Sequence, residues 1–433
     1  MTAFDRSERF EHELPDILTA IAAPRVPDYV DDLLARAAAT RQRPRRTFPE
    51  RWLGMDAIAY RGSVAAFPWR PFIAAALLLA LLAGALLLAG SQQRRVPPPF
   101  GPAKNGAIAF GEGDIYVRDG IDGTSTLVIG GPTFDFAASF TRDGQRLTFL
   151  RRVSGSPGTP TERLQLFVAD PDGSNVQPVS GPLVTPDWSD MAPDSSSVVI
   201  AAGQPGAGQQ LFIADLDHPG PLHHIDLGPN LEAETPNFLG PSGAEIVFRG
   251  TTVTPQGVRH GIFTVDPGVH RVKALTPTDG TDANSGYTYP QPSPDGRYVA
   301  YWTWDEQLHG LRIHVLDLHT GEDRTLTDVG RSEGWATFSP DSSRIIFQNY
   351  TTERDQVFVV PVDGGGPRLA MGPMYRAVDN QAVGGIFSPD GKSVIVFDTA
   401  TKESRIVDAA KGGNGEILPW SAADISGWQR LAP

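Results

Sequence analysis

The chain carries "FSPDGKSVIVFD" at Phe387–Asp398, and near copies of its opening stand at Pro292–Tyr301 ("PSPDGRYVAY") and Phe338–Phe347 ("FSPDSSRIIF"). In Pro-Asp-Gly the Asp bonds back to the backbone and the Gly takes positive φ, so the phrase is a turn. The apolar run after it reads as a strand. The Asp position recurs at Asp143, Asp194, Ser242, Asp295, Asp341 and Asp390, with gaps of 51, 48, 53, 46 and 49 residues. Four and six residues later the side chain is apolar each time, from Leu147 and Phe149 to Val394 and Val396.

A second phrase answers the first: "IYVRD", "LFVAD", "LFIAD", "IFTVD", "IHVLD", "VFVVP" and "SRIVD", ending at Asp119, Asp170, Asp215, Asp266, Asp317, Pro361 and Asp408. A weaker strand follows most of these, such as "KALTP" and "DRTLTD". Four strands in roughly 45–50 residues is the period of a propeller blade, which buries its faces only against neighbouring blades. The second phrase occurs seven times and the first six. The unit Gly106–Gly130 lacks an opening strand, and "DISGWQRLAP" (Asp424–Pro433) is a lone strand without followers. Pairing the two completes one blade from both termini and places Trp428 beside Ile108. The expected fold is all-β, a seven-bladed propeller over residues 106–433, with six or eight blades as alternatives.

These phrases resemble the repeats of TolB-type propellers, relatives of the WD-repeat class, over Gly106–Pro433; "FSPDG" at Phe387–Gly391 and "PSPDG" at Pro292–Gly296 carry the resemblance. It implies the fold. It leaves function open, because such repeats serve transport machinery, peptidase gating and extracellular sensing.

Before the repeats, "FIAAALLLALLAGALLLAG" (Phe72–Gly90) has no charge and no strong polar group. As a helix it spans roughly 28 Å, close to the ~30 Å hydrocarbon core, and a soluble core helix seldom stays apolar on every face. Seventy-one residues precede it, too many for a cleaved signal. Leu88-Ala89-Gly90-Ser91 resembles a lipoprotein box with Ser in place of the lipidated Cys. Residues 71–90 are therefore expected to be a retained single-pass anchor. Arginines favour an inner N-terminus: Arg41, Arg43, Arg45 and Arg46 extend the basic count on that side, and only Arg118 does so on the other. The propeller is then extracytoplasmic. Residues 91–105 ("SQQRRVPPPFGPAKN") read as a polyproline spacer.

The 433-residue chain has net charge −13 and no cysteine, which removes disulfides, thiol nucleophiles and cysteine-based zinc sites. Residues 1–70 hold 11 basic and 10 acidic side chains against 37 and 50 in the whole chain, so the remainder carries −14. That acidity argues against a nucleic-acid partner. In the tail, Phe10, Leu14, Ile17, Leu18 and Ile21 fall at helical spacing, and Pro27 opens a second segment with Tyr29, Val30, Leu33, Leu34 and Ala37 on its apolar face. "RQRPRRTFPERW" (Arg41–Trp52) follows; the alternatives are a small docking module and a basic tail against anionic lipid. Tail, single span and outer domain resemble the membrane-bound anti-sigma factors. Their histidine–cysteine zinc motif is absent, since His12 is the tail's one histidine.

Four patterns invite chemistry. Gly330–Gly334 ("GRSEG") matches a nucleophile elbow around Ser332, but a strand at Trp335–Phe338 follows where a helix is required. Asp170, Asp172, Gly173 and Asn175 ("DPDGSN") lack the distal Glu of a calcium loop and read as a turn. His309, His314 and His319 are spaced to alternate between sheet faces, which separates them. Tyr301, Trp302, Trp304, Asp305 and Glu306 are either a peptide or sugar site at the rim, or packing plus a solvated loop. No catalytic, cofactor, metal or ligand-binding residue is assigned from the sequence. The function expected is a non-enzymatic, membrane-anchored binding or sensing protein for a peptide, protein or cell-wall ligand, with a sigma factor as cytoplasmic partner. A TolB-like envelope scaffold and a propeller lyase or hydrolase are the alternatives.

Overall fold

The computed structural model describes residues 97–432 apart from 205–207, 256, 278–287, 306–308, 327–331, 351–352, 378–382 and 424, together with Ala35, Leu78 and Leu79. The chain divides into two compact units, Met1–Gln92 and Gln93–Pro433. The expected tail helices and the apolar run lie outside the described residues except for those three positions, which are helical and exposed. No described helix is long and apolar enough to cross a membrane.

The second unit is all β among its described residues. In chain order the strands are β1 (Lys104–Phe110), β2 (Ile115–Arg118), β3 (Ser125–Ile129), β4 (Phe134–Phe140), β5 (Leu147–Ser154), β6 (Arg163–Ala169), β7 (Gln177–Pro178), β8 (Leu183–Met191), β9 (Ser197–Gln204), β10 (Gly208–Asp215) and β11 (His223–Ile225). They continue as β12 (Leu231–Leu239), β13 (Glu245–Thr254), β14 (Gly257–Asp266), β15 (Arg271–Ala274), β16 (Thr288–Pro292), β17 (Tyr298–Asp305), β18 (Gly310–Asp317), β19 (Asp323–Thr325) and β20 (Ser332–Phe338). The last are β21 (Arg344–Tyr350), β22 (Arg354–Pro361), β23 (Leu369–Arg376), β24 (Val383–Phe387), β25 (Ser393–Asp398), β26 (Ser404–Asp408), β27 (Glu416–Ile417) and β28 (Ile425–Leu431).

Among the described residues these form antiparallel four-stranded sheets β12–β15, β16–β19, β20–β23 and β24–β27, and a sheet in the order β28-β1-β2-β3. The groups β4–β7 and β8–β11 are joined into one eight-stranded sheet because the start of β6 pairs with β8 at Arg163↔Val184 and Leu164↔Leu183. Ile108 lies opposite Trp428, as the two incomplete units predict. A bulge separates Asn105 from Ile108, and Gln429 fills it, accepting from the Ala107 N–H at 3.1 Å and donating to the Gly144 carbonyl at 2.7 Å. A Cβ on Gly106 would come 2.8 Å from Gln429 Oε1 and 3.0 Å from the Gln429 carbonyl oxygen, so a larger residue there would push Gln429 out of the bulge.

The second strand of each group is buried on both faces, with Ile246, Val247, Phe248 and Ile345, Ile346, Phe347 as examples. Apolar clusters therefore form between consecutive sheets. One joins Val199, Ala201 and Leu211 to Phe238, Ile246 and Phe248. Another joins Ile395 and Phe397 to Ile108 and Trp428, carrying the last sheet onto the first. Six residues after the turn Asp, side chains stack across the pair: Phe149 on Phe167, Phe248 on Phe263, Tyr301 on His314 and Phe347 on Phe358.

The turn phrase performs two jobs. Within the turn, Ser293, Ser339 and Ser388 donate to Asp295, Asp341 and Asp390 at 2.5, 2.6 and 2.6 Å. Each Asp then accepts from the backbone two residues on, at Arg297, Ser343 and Lys392. Between sheets, the Asp143 and Asp295 N–H groups donate to the Ser195 and Ser342 hydroxyls of the next turn, both at 3.0 Å. At the closure the Asp390 N–H donates instead to Asn105 Oδ1 at 3.1 Å, so Asn105 replaces the missing phrase.

Candidate functional site

The first strand of each group runs toward the turn phrase, so all these strands deliver their last residues to one end of the axis. There Arg142, Asp190, Phe238, Gln291, Thr337, Phe387 and Trp428 line a cavity of about 310 Å³, one residue from each group in turn. Pro294, Pro340 and Pro389 of the turn phrase line it as well. Arg142 occupies the phrase's proline position in "TRDG" and extends a guanidinium into this ring. Its Nη2 contacts both Asp190 oxygens, at 3.0 and 3.2 Å, and its Nε donates to the Met191 carbonyl at 2.9 Å. Asp190 also accepts from the Phe238 N–H at 2.9 Å, tying three consecutive groups together at the mouth. Asn237 donates to the carbonyls of Thr235 and Pro290.

Residues Pro97–Ala103 cross this mouth. Phe100 lies under the Arg142 guanidinium, 4.4 Å from carbon to ring centre. Arg430 Nη2 donates to the carbonyls of Pro98 at 3.0 Å and Gly101 at 2.6 Å. The Ala103 N–H donates to the Pro389 carbonyl at 2.8 Å. The end of the expected spacer is thus docked on the sheets rather than extended in solvent. The physical reason is complementarity: successive prolines offer carbonyls without N–H groups, and the mouth supplies donors. Burial pulls the Arg430 guanidinium down to about 10, helped by the positive charge of Arg142. Arg430 Nε and Trp428 Nε1 are buried without a hydrogen-bond partner.

The sequence candidates lie elsewhere. Ser332 opens β20 and leads directly into strand, while Gly330 and Arg331 are outside the described residues. Asp170 and Asp172 turn inward on their own loop: Asp170 accepts from Asn175 at 2.7 Å, and Asp172 from the Ser174 hydroxyl at 2.6 Å. His309 sits at the β17–β18 hairpin, and the His319 N–H donates to Asp317 at 2.8 Å. His314 lies in β18, its Nδ1 3.3 Å from Asp323 Oδ1, and the Tyr301 hydroxyl donates to the other Asp323 oxygen. Burial pushes the Asp323 carboxyl up, but those hydrogen bonds outweigh it and hold it below the usual range. Trp302 packs on Tyr289 at 4.8 Å, Asp305 approaches Arg312 at 3.5 Å, and Glu306 is outside the described residues. Because β17 runs away from the turn phrase, Trp302, Trp304 and Asp305 stand toward the end of the sheets opposite the mouth.

That opposite end also holds Asp355, Asn349 and Tyr375, all buried, with Asp355 Oδ1 and Asn349 Nδ2 unpartnered. Burial pushes the Asp355 carboxyl up, and the charge of Asp398 adds to it. Burial likewise pushes the Tyr375 phenol up to about 12. Among the described residues no three His, Asp or Glu side chains form a metal-binding group.

No family model and no curated protein matches the chain. Solved structures do. An oligogalacturonate lyase in complex with manganese aligns at 13% identity and a TM-score of 0.53, over 72% of this chain and 85% of its own. A prolyl endopeptidase aligns at 12% identity and a TM-score of 0.53, over 75% of this chain and only 51% of its own. TolB from Acinetobacter baumannii aligns at 18% identity and a TM-score of 0.44, over 76% of this chain and 82% of its own. The neighbours are propeller proteins, enzymes and TolB among them. At these identities the likeness shows the β-propeller fold and no activity.

Proposed function

We propose that the chain is a seven-bladed propeller, each four-strand group being one blade, that binds a peptide or protein at the axial mouth without chemical turnover. The observation carrying this is the character of the lining. Arg430 donates to two main-chain carbonyls at the cavity, and the cavity's carboxylate, Asp190, is committed to Arg142 and the Phe238 N–H. Such a set recognises acceptors; it does not supply an acid and a base at matched pKa.

The run Phe72–Gly90 anchors the propeller outside the cytoplasm in this reading, and the tail before it engages a cytoplasmic partner, a sigma factor. A photo-crosslinking residue at Gln291, on the cavity wall, is expected to capture an envelope protein or peptide in intact cells. The same probe at Ile417, exposed on β27, is expected to capture none. Equal capture at both positions overturns the mouth as the site. Deleting residues 1–70 from the full chain is expected to abolish co-purification of a sigma factor; its absence from the intact protein as well favours a TolB-like scaffold whose tail only anchors it.

A further inference from the structure

We propose that the mouth is a receptor for an extended proline- and aromatic-containing peptide, and that Pro97–Gly101 of this chain occupies it as a tethered competitor. The proposal rests on the mouth-binding reading and names its ligand class.

Three successive prolines present carbonyls and no N–H, so a receptor for them must be rich in donors. Arg430 meets the carbonyls of Pro98 and Gly101 from one nitrogen, at 3.0 and 2.6 Å. Two more donors beside them, Arg430 Nε and Trp428 Nε1, are unused, and Trp428 is only 8% exposed. The docked segment leaves this buried indole N–H without an acceptor, a cost that a ligand placing a further carbonyl there would relieve. The aromatic position is built in the same way: Phe100 lies against a guanidinium that Asp190 and the Met191 carbonyl hold in place. Beside the segment, a groove of about 610 Å³ lined by Pro97, Pro99, Pro193, Pro241 and Pro267 continues over the rim, sharing Pro99 and Phe238 with the axial cavity. A longer peptide can therefore fill both, where the chain's own segment fills one edge.

Tethering sets the competition. Ala103 is fixed to Pro389 and β1 follows at once, so the segment faces its site at an effective concentration of millimolar order. A free peptide that only copies the segment is outcompeted until the segment is weakened, whereas a longer ligand that also fills the groove competes with the segment intact.

The test uses the full chain and a fluorescent peptide copying Val96–Ala103 (VPPPFGPA). Phe100→Ala is expected to bind it at least tenfold more tightly than the unaltered chain. Adding Arg430→Met is expected to reverse that gain, and a peptide with Ala for Phe is expected to bind at least tenfold more weakly. Should Arg430→Met unfold the protein, Arg430→Lys keeps the charge without the guanidinium nitrogen that meets the Pro98 and Gly101 carbonyls, and is expected to weaken binding severalfold. No gain with Phe100→Ala, or indifference to the folded Arg430 variant, overturns the proposal. If Gln291 still captures a partner while the peptide fails, mouth binding stands and the peptide class falls.

Discussion

Asp355 is a buried carboxyl whose Oδ1 has no hydrogen-bond partner, with a pKa raised by burial first and by the charge of Asp398 second. The native state holds this proton at pH values where an unfolded carboxyl, near about 3.9, has lost it. Its contribution to stability is therefore full below the unfolded pKa and is lost as pH rises through the native one. Asp355→Asn keeps the shape and removes the charge. Its urea midpoint is expected to exceed that of the unaltered protein at pH 7 and to match it at pH 4; equal shifts at both pH values contradict this account. Single residues were the least legible part of the sequence. Arg142 was the available signal, because it stands where the other turns of its kind carry Pro193, Pro241, Pro294, Pro340 and Pro389. A departure from a repeat marks a position that the repeat's own packing does not need. Arg430 gave no such mark, since its role depends on carbonyls more than 300 residues away.

At the scale of elements, the turn phrase links neighbours as well as ending strands. Gly240 and Gly296 belong to consecutive turns, and a Cβ on Gly296 would lie 2.8 Å from the Gly240 Cα while φ is +75°. Gly321 has the same φ of +75° with open space around it. Gly321→Ala is expected to cost about 1–2 kcal/mol, the left-handed conformation alone. Gly296→Ala is expected to cost more, because two backbones must separate as well. Urea unfolding of both variants checks the difference, and equal costs would show that the turns do not touch as described. Strands were legible because their two-residue period and turn chemistry are local. The docked segment Pro97–Ala103 was not: its prolines specify an extended chain, and extension alone says nothing about what the chain lies against.

At the scale of the molecule, closure determines whether there is a mouth at all. An unclosed row of sheets has no axis at which Arg142, Asp190, Phe238, Gln291, Thr337, Phe387 and Trp428 converge. The closing pair was legible from a mismatch in the repeats, one unit lacking a first strand and one strand lacking a unit. The cavity was not legible, because it arises only when all the groups share an axis. The chain has no cysteine, so an introduced pair can bond only to itself. Lys104 and Leu431 are cross-strand partners in the closing pair, at a separation that suits a disulfide. Lys104→Cys with Leu431→Cys is predicted to oxidise within one chain, shift its mobility on a non-reducing gel, and raise stability by up to about 5 kcal/mol. Lys104→Cys with Ile417→Cys is predicted to stay reduced. Failure of the first pair to bond, or bonding of both pairs alike, would contradict a ring closed by its two ends.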